Sequence, residues 1–322
     1  MELQFTTLDV FTSTRMQGNP LAVVSVPASL KDKLPQAAKQ KIAREFNLSE
    51  TVFLHEADDA DSSGGKERHA DIFTVEQEIP FGGHPTVGTA VLSKYHLHPH
   101  VDTLVTKAGP IGLVPQDGDG NRGIRAKIPH NVHLHSRTLA DAIVGGTTSD
   151  AYPGLSPVAE IRAAELAAPV FSVVRGMTFV LVRLPTLELL ARITEAARLD
   201  FAGLPAPLLD EAWRDSLVCR YYYVDVDSKQ EGTRSLRTRM VELGFEDPAT
   251  GSAATALGAY LTLEEERKGT RFEVTQGVEM GRRSDISVET MTRETDGAVE
   301  LVDLWLGGTA VVVMKGSLTV DI

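Results

Sequence analysis

The sequence predicts an α+β protein of two pseudo-symmetric domains. Three observations carry this. Short strand-like runs alternate with few long helices, which is the pattern of α+β chains. No Gly-x-Gly-x-x-Gly follows a strand, so a dinucleotide-binding doubly wound sheet is not expected. A hexapeptide of the form Pro-x-x-Gly-[Ser/Thr]-Ala occurs at Pro85–Ala90 and again at Pro248–Ala253, an offset of 163 residues and close to half of the 322-residue chain.

The elements follow in order. Thr6–Val10 and Asn19–Val26 read as strands, and Pro27 ends the second. Lys33–Phe46 reads as an amphipathic helix with Ile42, Ala43 and Phe46 near one face. Thr51–His55 and His69–Thr74 read as strands around an exposed turn at Asp58–Glu67, and Thr86–Tyr95 as a helix. Thr103–Ala108, Ile111–Pro115 and Gly123–Ile128 suggest a meander broken at Gly109-Pro110 and at Asp117–Asn121. In the second half, strands are expected at Val170–Val174, Phe179–Leu184, Leu217–Val226, Ser235–Met240, Arg271–Gln276, Asp285–Glu289, Glu300–Leu306 and Ala310–Lys315. Helices are expected at Thr186–Ala197, Leu208–Trp213 and Ala253–Thr262. Gly18–Val24 has a fainter echo in Gly176–Val182, at an offset of 158, and together the two echoes suggest a duplicated half. The expected division is 1–128, taking the last strand 311–322 with it, against 129–310, with an active site in the cleft between the domains.

Composition excludes several function classes. Hydrophobic residues make up 42% and charged residues 24%, as in ordinary globular proteins. The longest apolar runs, such as Val311–Met314, are too short to span a bilayer, and Met1–Phe5 does not start a signal peptide, so no membrane role and a cytoplasmic location are expected. The single cysteine, Cys219, rules out an intramolecular disulfide and a cysteine-based zinc cluster. A net charge of −12 argues against nucleic acid and requires that any anion site be built locally.

The two echoed segments are such candidate sites. A helix start presents unpaired amides and partial positive charge, and a proline costs nothing in the first turn. Gly88 and Gly251 would let a ligand or another backbone approach closely. A small carboxylated substrate is the expected partner. Glu50 is the only acid in Asn47–Leu54; in the core its pKa would rise toward neutrality and suit it to take and return a proton, whereas on an edge strand it would be an ordinary solvated acid. His84 and Asp247 each precede the echoed proline, as second proton-transfer groups, substrate ligands or helix caps. The Thr89 and Ser252 hydroxyls are caps or substrate donors, and Asn19 is a turn residue or a polar contact. Arg237 and Arg239 alternate on a strand, either as an anion site or as a solvated face. Histidines at 96, 98, 100, 130, 133 and 135 read as surface loops rather than metal ligands.

The ordered set of segments resembles the PhzF-like family of the diaminopimelate epimerase-like fold. It comprises Asp9–Thr12, Gly18–Val24, Ser49–Phe53, Glu78–Ala90, Glu246–Ala253, Gln276-Gly277 with Met280–Arg282, and Gly307-Gly308 with Gly316. The resemblance implies two domains, each a curled β-barrel-like sheet around a central helix, and a homodimer. It implies a cofactor-independent isomerase similar to trans-2,3-dihydro-3-hydroxyanthranilate isomerase, with no metal, in which Glu50 shuttles a proton. His84 and Asp247 would assist the transfer, and Asn19, Gly83, Thr86, Gly251 and Ser252 would bind substrate. Gly83 or His84, and Asp247, stand where the two-thiol epimerases carry cysteines. Val75 departs from the family's usual Phe-Thr-Pro, and the segment from Met240 to Glu246 is short. A binding protein without turnover and a lyase or cyclase on the same scaffold are the rival readings.

Overall fold

A computed structural model describes all residues except 32, 58–62, 119–120, 144–151, 194–197, 229–230, 243, 296 and 322. Parts of three expected elements therefore lie outside the described residues: the turns at Asp58–Glu67 and Asp117–Asn121 and the end of the helix expected at Thr186–Ala197. The chain divides into two compact units, residues 1–128 with 305–322, and residues 129–304.

The first unit is a closed eight-stranded barrel. Seven of its strands are β1 (Glu2–Val10), β2 (Asn19–Val26), β3 (Thr51–His55), β4 (Glu67–Phe73), β6 (Thr103–Thr106), β7 (Gly109–Gly118) and β8 (Asn121–Lys127), and the two-residue β5 (Glu78–Ile79) pairs with β4 outside the ring. β1 runs antiparallel to β2, β2 parallel to β3, β3 antiparallel to β4, β4 parallel to β6, and β6, β7 and β8 follow antiparallel. One long C-terminal strand, Ala298–Thr319, closes the ring, pairing with β8 at Trp305–Thr309 and with β1 at Ala310–Thr319. Closure leaves no edge for a second chain to extend. Two separate strands, Glu300–Leu306 and Ala310–Lys315, were expected here; the chain instead runs on through Gly307-Gly308, and Gly308 serves packing, since a Cβ there would lie 2.4 Å from Phe11 Cδ1.

Strand alternation sorts side chains to the two faces. Val24 and Val26 meet helix α1 (Gln36–Phe46), which buries Ala38, Ile42 and Ala43 with Leu3, Phe53 and Phe73. Leu21 and Val10 instead touch helix α2 (Gly83–Leu92). Every residue of α2 is buried, the polar His84, Thr86 and Thr89 included, as in a helix surrounded by sheet. It packs against β1, β2, β3 and β8. Gly88 sits at the tightest point: a Cβ would lie 2.6 Å from Val10 Cγ2 and 2.7 Å from Leu21 Cδ2. Gly88 was expected to admit a ligand or another backbone; the close approach is instead to side chains of the barrel wall.

The second unit repeats the plan. Its strands are β9 (His133–Leu134), β10 (Val170–Val174), β11 (Met177–Arg183), β12 (Leu217–Val226), β13 (Thr233–Glu242), β14 (Phe245–Asp247), β15 (Gly269–Gln276) and β16 (Ser284–Thr295). From β10 onward the pairs run antiparallel, parallel, antiparallel, parallel, antiparallel, the same succession as from β1 to β7. The helices are α3 (Leu139–Ile143), α4 (Ala159–Ala167), α5 (Leu187–Ala191) and α6 (Gly251–Glu264). α6 is the counterpart of α2, largely buried against β10, β11, β15 and β16. Gly18 and Gly176 mark equivalent turns, both at positive φ (67° and 90°). Aligned on these glycines, Ala22 matches Val180, and their strand partners Thr51 and Arg220 match in turn, so Cys219 occupies the place of Glu50.

The expected helix at Leu208–Trp213 is only a 3-10 turn, Glu211–Trp213. Asp210 is drawn away by His133 Nε2 (2.7 Å) and the Ser136 hydroxyl (2.7 Å). Arg239 is no solvated strand residue: buried, it clasps Glu246 (2.8 Å, two bonds) and donates to the Leu190 and Ile193 carbonyls at the end of α5. No helix among the described residues is long and apolar enough to cross a membrane.

Candidate active site

Three predicted residues converge in the first unit. α1 ends at Asn47, whose left-handed conformation (φ 50°) stops the helix and turns the chain, placing Glu50 directly before β3. Asn19 opens β2, delivered by a loop of unusual backbone. Phe11 and Met16 both have positive φ, the Asp9 carboxylate accepts from the Met16 N–H (2.6 Å), and a Cβ on Gly18 would lie 2.3 Å from the Val10 carbonyl. His84 is the second residue of α2, and its N-cap Gly82 offers no side-chain cap bond. Gly83, His84 and Thr86 thus occupy the helix start, with Pro85 between them, while Thr89 lies a turn further on and is no cap.

The geometry is tight. Asn19 Nδ2 lies 3.4 Å from His84 Nδ1, and Glu50 Oε2 lies 3.6 Å from the same nitrogen. Asn19 and His84 are buried, and the Glu50 side chain keeps 19% exposure. Glu50 Oε2 is itself shielded and has no hydrogen-bond partner among the described residues. Desolvation pushes the Glu50 pKa up to about 7, against the smaller opposing pull of the Ser49 hydroxyl. A carboxyl so tuned can take or give a proton near neutral pH. The buried hydroxyls of Thr51 and Thr86 also have no hydrogen-bond partner among the described residues.

The second unit assembles the matching helix start differently. Pro248 precedes α6 instead of lying in its first turn, and the N-cap is Thr250. Asp247 ends β14 and accepts from the Thr250 hydroxyl (2.6 Å), so it is not the cap. Gln276 holds this segment: its Nε2 donates to the Asp247 carbonyl (2.8 Å), and its Oε1 accepts from the Thr250 N–H (3.1 Å) and the Tyr221 hydroxyl (2.9 Å). Gly277 (φ 72°) lets the next turn approach, since a Cβ there would lie 2.7 Å from the Pro248 carbonyl. Gly251 and Ser252 then begin α6, both buried. Tyr221, Thr250 and Gln276 were not singled out as site residues. Only the polar Gln276 beside a glycine gave a signal in the sequence.

Two other polar groups are closed on themselves. His133, His135 and Asp210 lie near one another, but His135 is buried rather than on a surface loop. Its Nδ1 accepts the Asp210 N–H (3.1 Å) and its Nε2 pairs with the Ser172 hydroxyl (2.9 Å), leaving no lone pair for a metal. Burial, with His133 close by, pushes its pKa down to about 4. Cys219 is buried, and desolvation with Glu242 nearby pushes its thiol up, so it is neither nucleophile nor base at neutral pH.

Residues 8–316 match the family model described as phenazine biosynthesis-like protein. The chain belongs to the phenazine biosynthesis-like family. Members of this family are similar to it over nearly their whole length. An uncharacterized isomerase of Mesorhizobium japonicum is 33% identical over 96% of both chains. Trans-2,3-dihydro-3-hydroxyanthranilate isomerase of Pseudomonas fluorescens is 27% identical over 97% of both. A Bacillus anthracis phenazine biosynthesis protein of the PhzF family shares the fold with a TM-score of 0.71, at 21% identity, over 99% of this chain and 100% of that one. A probable proline racemase of Agrobacterium radiobacter shares it more distantly, with a TM-score of 0.57 at 14% identity over 99% and 93%. As a phenazine biosynthesis-like protein with relatives named as isomerases, the chain is an isomerase.

Proposed function

We propose that this isomerase shifts a carbon-bound proton on a small carboxylated substrate without a cofactor, with Glu50 as the group that removes the proton and returns it to another carbon. The observation that carries the reading is the Glu50 carboxyl, poised at about 7 by desolvation beside buried His84. Glu50 as carboxylate accepts the proton from carbon. The electron pair left behind delocalises over the substrate, and the same carboxyl then protonates a second position. Substrate and product have one composition, so no oxidant or co-reactant enters. Asn19 orients His84, and the first-turn amides of Gly83 and His84, with the Thr86 hydroxyl, are suited to developing negative charge. Asp247, Gly251 and Ser252 remain in this reading as further substrate-contacting residues, with Gln276 holding Asp247 and Thr250.

The experiment is deuterium exchange in heavy water, using trans-2,3-dihydro-3-hydroxyanthranilate as the first probe because relatives are named for acting on it. Wild-type protein should incorporate deuterium, and Glu50→Gln should bind the probe and exchange nothing. Full exchange by Glu50→Gln removes Glu50 from the mechanism. Conversion by the wild type without solvent exchange would favour a shielded transfer and can be followed with substrate deuterated at the reacting carbon.

A further inference from the structure

The connection from β2 to β3 is residues 27–50, and its α1 packs against the barrel. In the equivalent connection of the second unit, residues 184–216 between β11 and β12, the described residues hold the five-residue α5 and one 3-10 turn. Its stretch 198–209 is irregular, and a cavity of about 760 Å³ opens between it and the β12 and β13 strands. That volume lies within the ~300–1,000 Å³ of small-molecule sites. The wall is apolar, formed by Leu199, Leu204, Leu208, Leu209 and Val218. These side chains belong to or pack against the apolar cluster of the second unit, so the cavity is cut into the flank of a core.

Its charged groups are not equivalent. Glu242 is fully engaged: it takes the Leu199 N–H (3.2 Å) and the Arg220 Nε (2.8 Å) and Nη2 (3.2 Å). Asp200 accepts the Ala202 and Gly203 N–H groups (3.2 and 3.1 Å). Arg198 and Arg214, also lining the cavity, have no hydrogen-bond or ion-pair partner among the described residues. In a chain of net charge −12, two unpaired guanidiniums beside an apolar wall form a local anion-attracting site.

We propose that this cavity binds a small organic anion with an apolar body, a short-chain acyl or aromatic carboxylate, with its head group at Arg198 and Arg214 and its body against the leucines. The site shares no residue with the Glu50 group and is independent of the reaction proposed above.

The test is calorimetric titration of the full-length protein with sodium octanoate, with octanamide as the uncharged control. Saturable one-to-one octanoate binding is expected, weakened about tenfold or more in the double variant Arg198→Gln/Arg214→Gln, as loss of charge-assisted hydrogen bonds requires. Ala206→Trp, which fills the cavity, should abolish it, and Glu50→Gln should leave it unchanged. The two arginines are exposed, so the double variant reports even if Ala206→Trp does not fold. Equal binding of octanamide, equal affinity in the arginine variant, loss of binding in Glu50→Gln, or no binding at millimolar octanoate would each overturn the proposal.

Discussion

Glu50 Oε2 and Asn19 Nδ2 approach the same atom, His84 Nδ1, from 3.6 and 3.4 Å. A ring nitrogen has one lone pair or one proton to offer, so it serves one of the two fully at a time. The protonation of Glu50 and the hydrogen bonding of His84 are therefore linked: protonated Glu50 competes with Asn19 to donate, and ionised Glu50 favours a proton on the ring.

The Glu50 carboxyl gives the first prediction. Its folded pKa of about 7 lies above the ordinary value of 4.5 for a glutamate, so the folded protein holds this proton more tightly than the unfolded chain. The stability linked to it is full below the unfolded value and is lost as pH rises through 7. Glu50→Gln, which has no proton to lose, should then be more stable than wild type at pH 8 by about 3 kcal/mol, with the difference vanishing near pH 4. Urea unfolding at both pH values measures this, and equal midpoints at pH 8 would mean that Glu50 is solvated.

The activity of the same group has the opposite dependence. If its carboxylate is the base, kcat/KM should fall about tenfold per unit below pH 7. Asn19→Ala should lower kcat by about tenfold, the scale of one lost orienting hydrogen bond, and move this acidic limb as His84 is released. A lowered rate with an unmoved limb would make Asn19 a purely structural residue.

Cys219 stands where Glu50 stands in the other unit, but its thiol is buried and its ionisation suppressed. Iodoacetamide at pH 8 should leave the native protein unlabelled and active, and label it once in urea, by mass spectrometry. Inactivation of the native protein would point to thiol chemistry.

Gly88→Ala should destabilise the protein by about 1–3 kcal/mol, the usual cost of overpacking, despite alanine's better helix propensity. The added methyl would stand 2.6 Å from Val10 and 2.7 Å from Leu21, both on the closed barrel wall. An unchanged denaturation midpoint would show that the wall yields.

Much of this was legible because the chemistry is local. Pro85–Ala90 and Pro248–Ala253 mark two buried helices by their small and apolar residues, and Glu50 is the lone acid among its apolar and small neighbours, a pattern that an edge-strand acid would share. What stayed hidden depends on distant partners. β5 and β14 are two and three residues long and exist only as hairpin returns on β4 and β13. α3 and α4 lie on either side of a segment without strong periodicity and owe their burial to the cluster around Ile143, Ile161 and Leu190. Arg239 looks like a solvent-facing strand residue until Glu246 and the end of α5 meet it.

The pairing of Leu3 with Leu318 sets a condition on biosynthesis. The N-terminal barrel lacks its last stave until residues 305–319 have been made. Residues 129–304, inserted in the sequence between the two parts of that barrel, can collect their own staves earlier. Released chains that stop at residue 304 should therefore resist protease in the insert and remain susceptible at β1, so that loss of residues 305–319 damages the part that was made first.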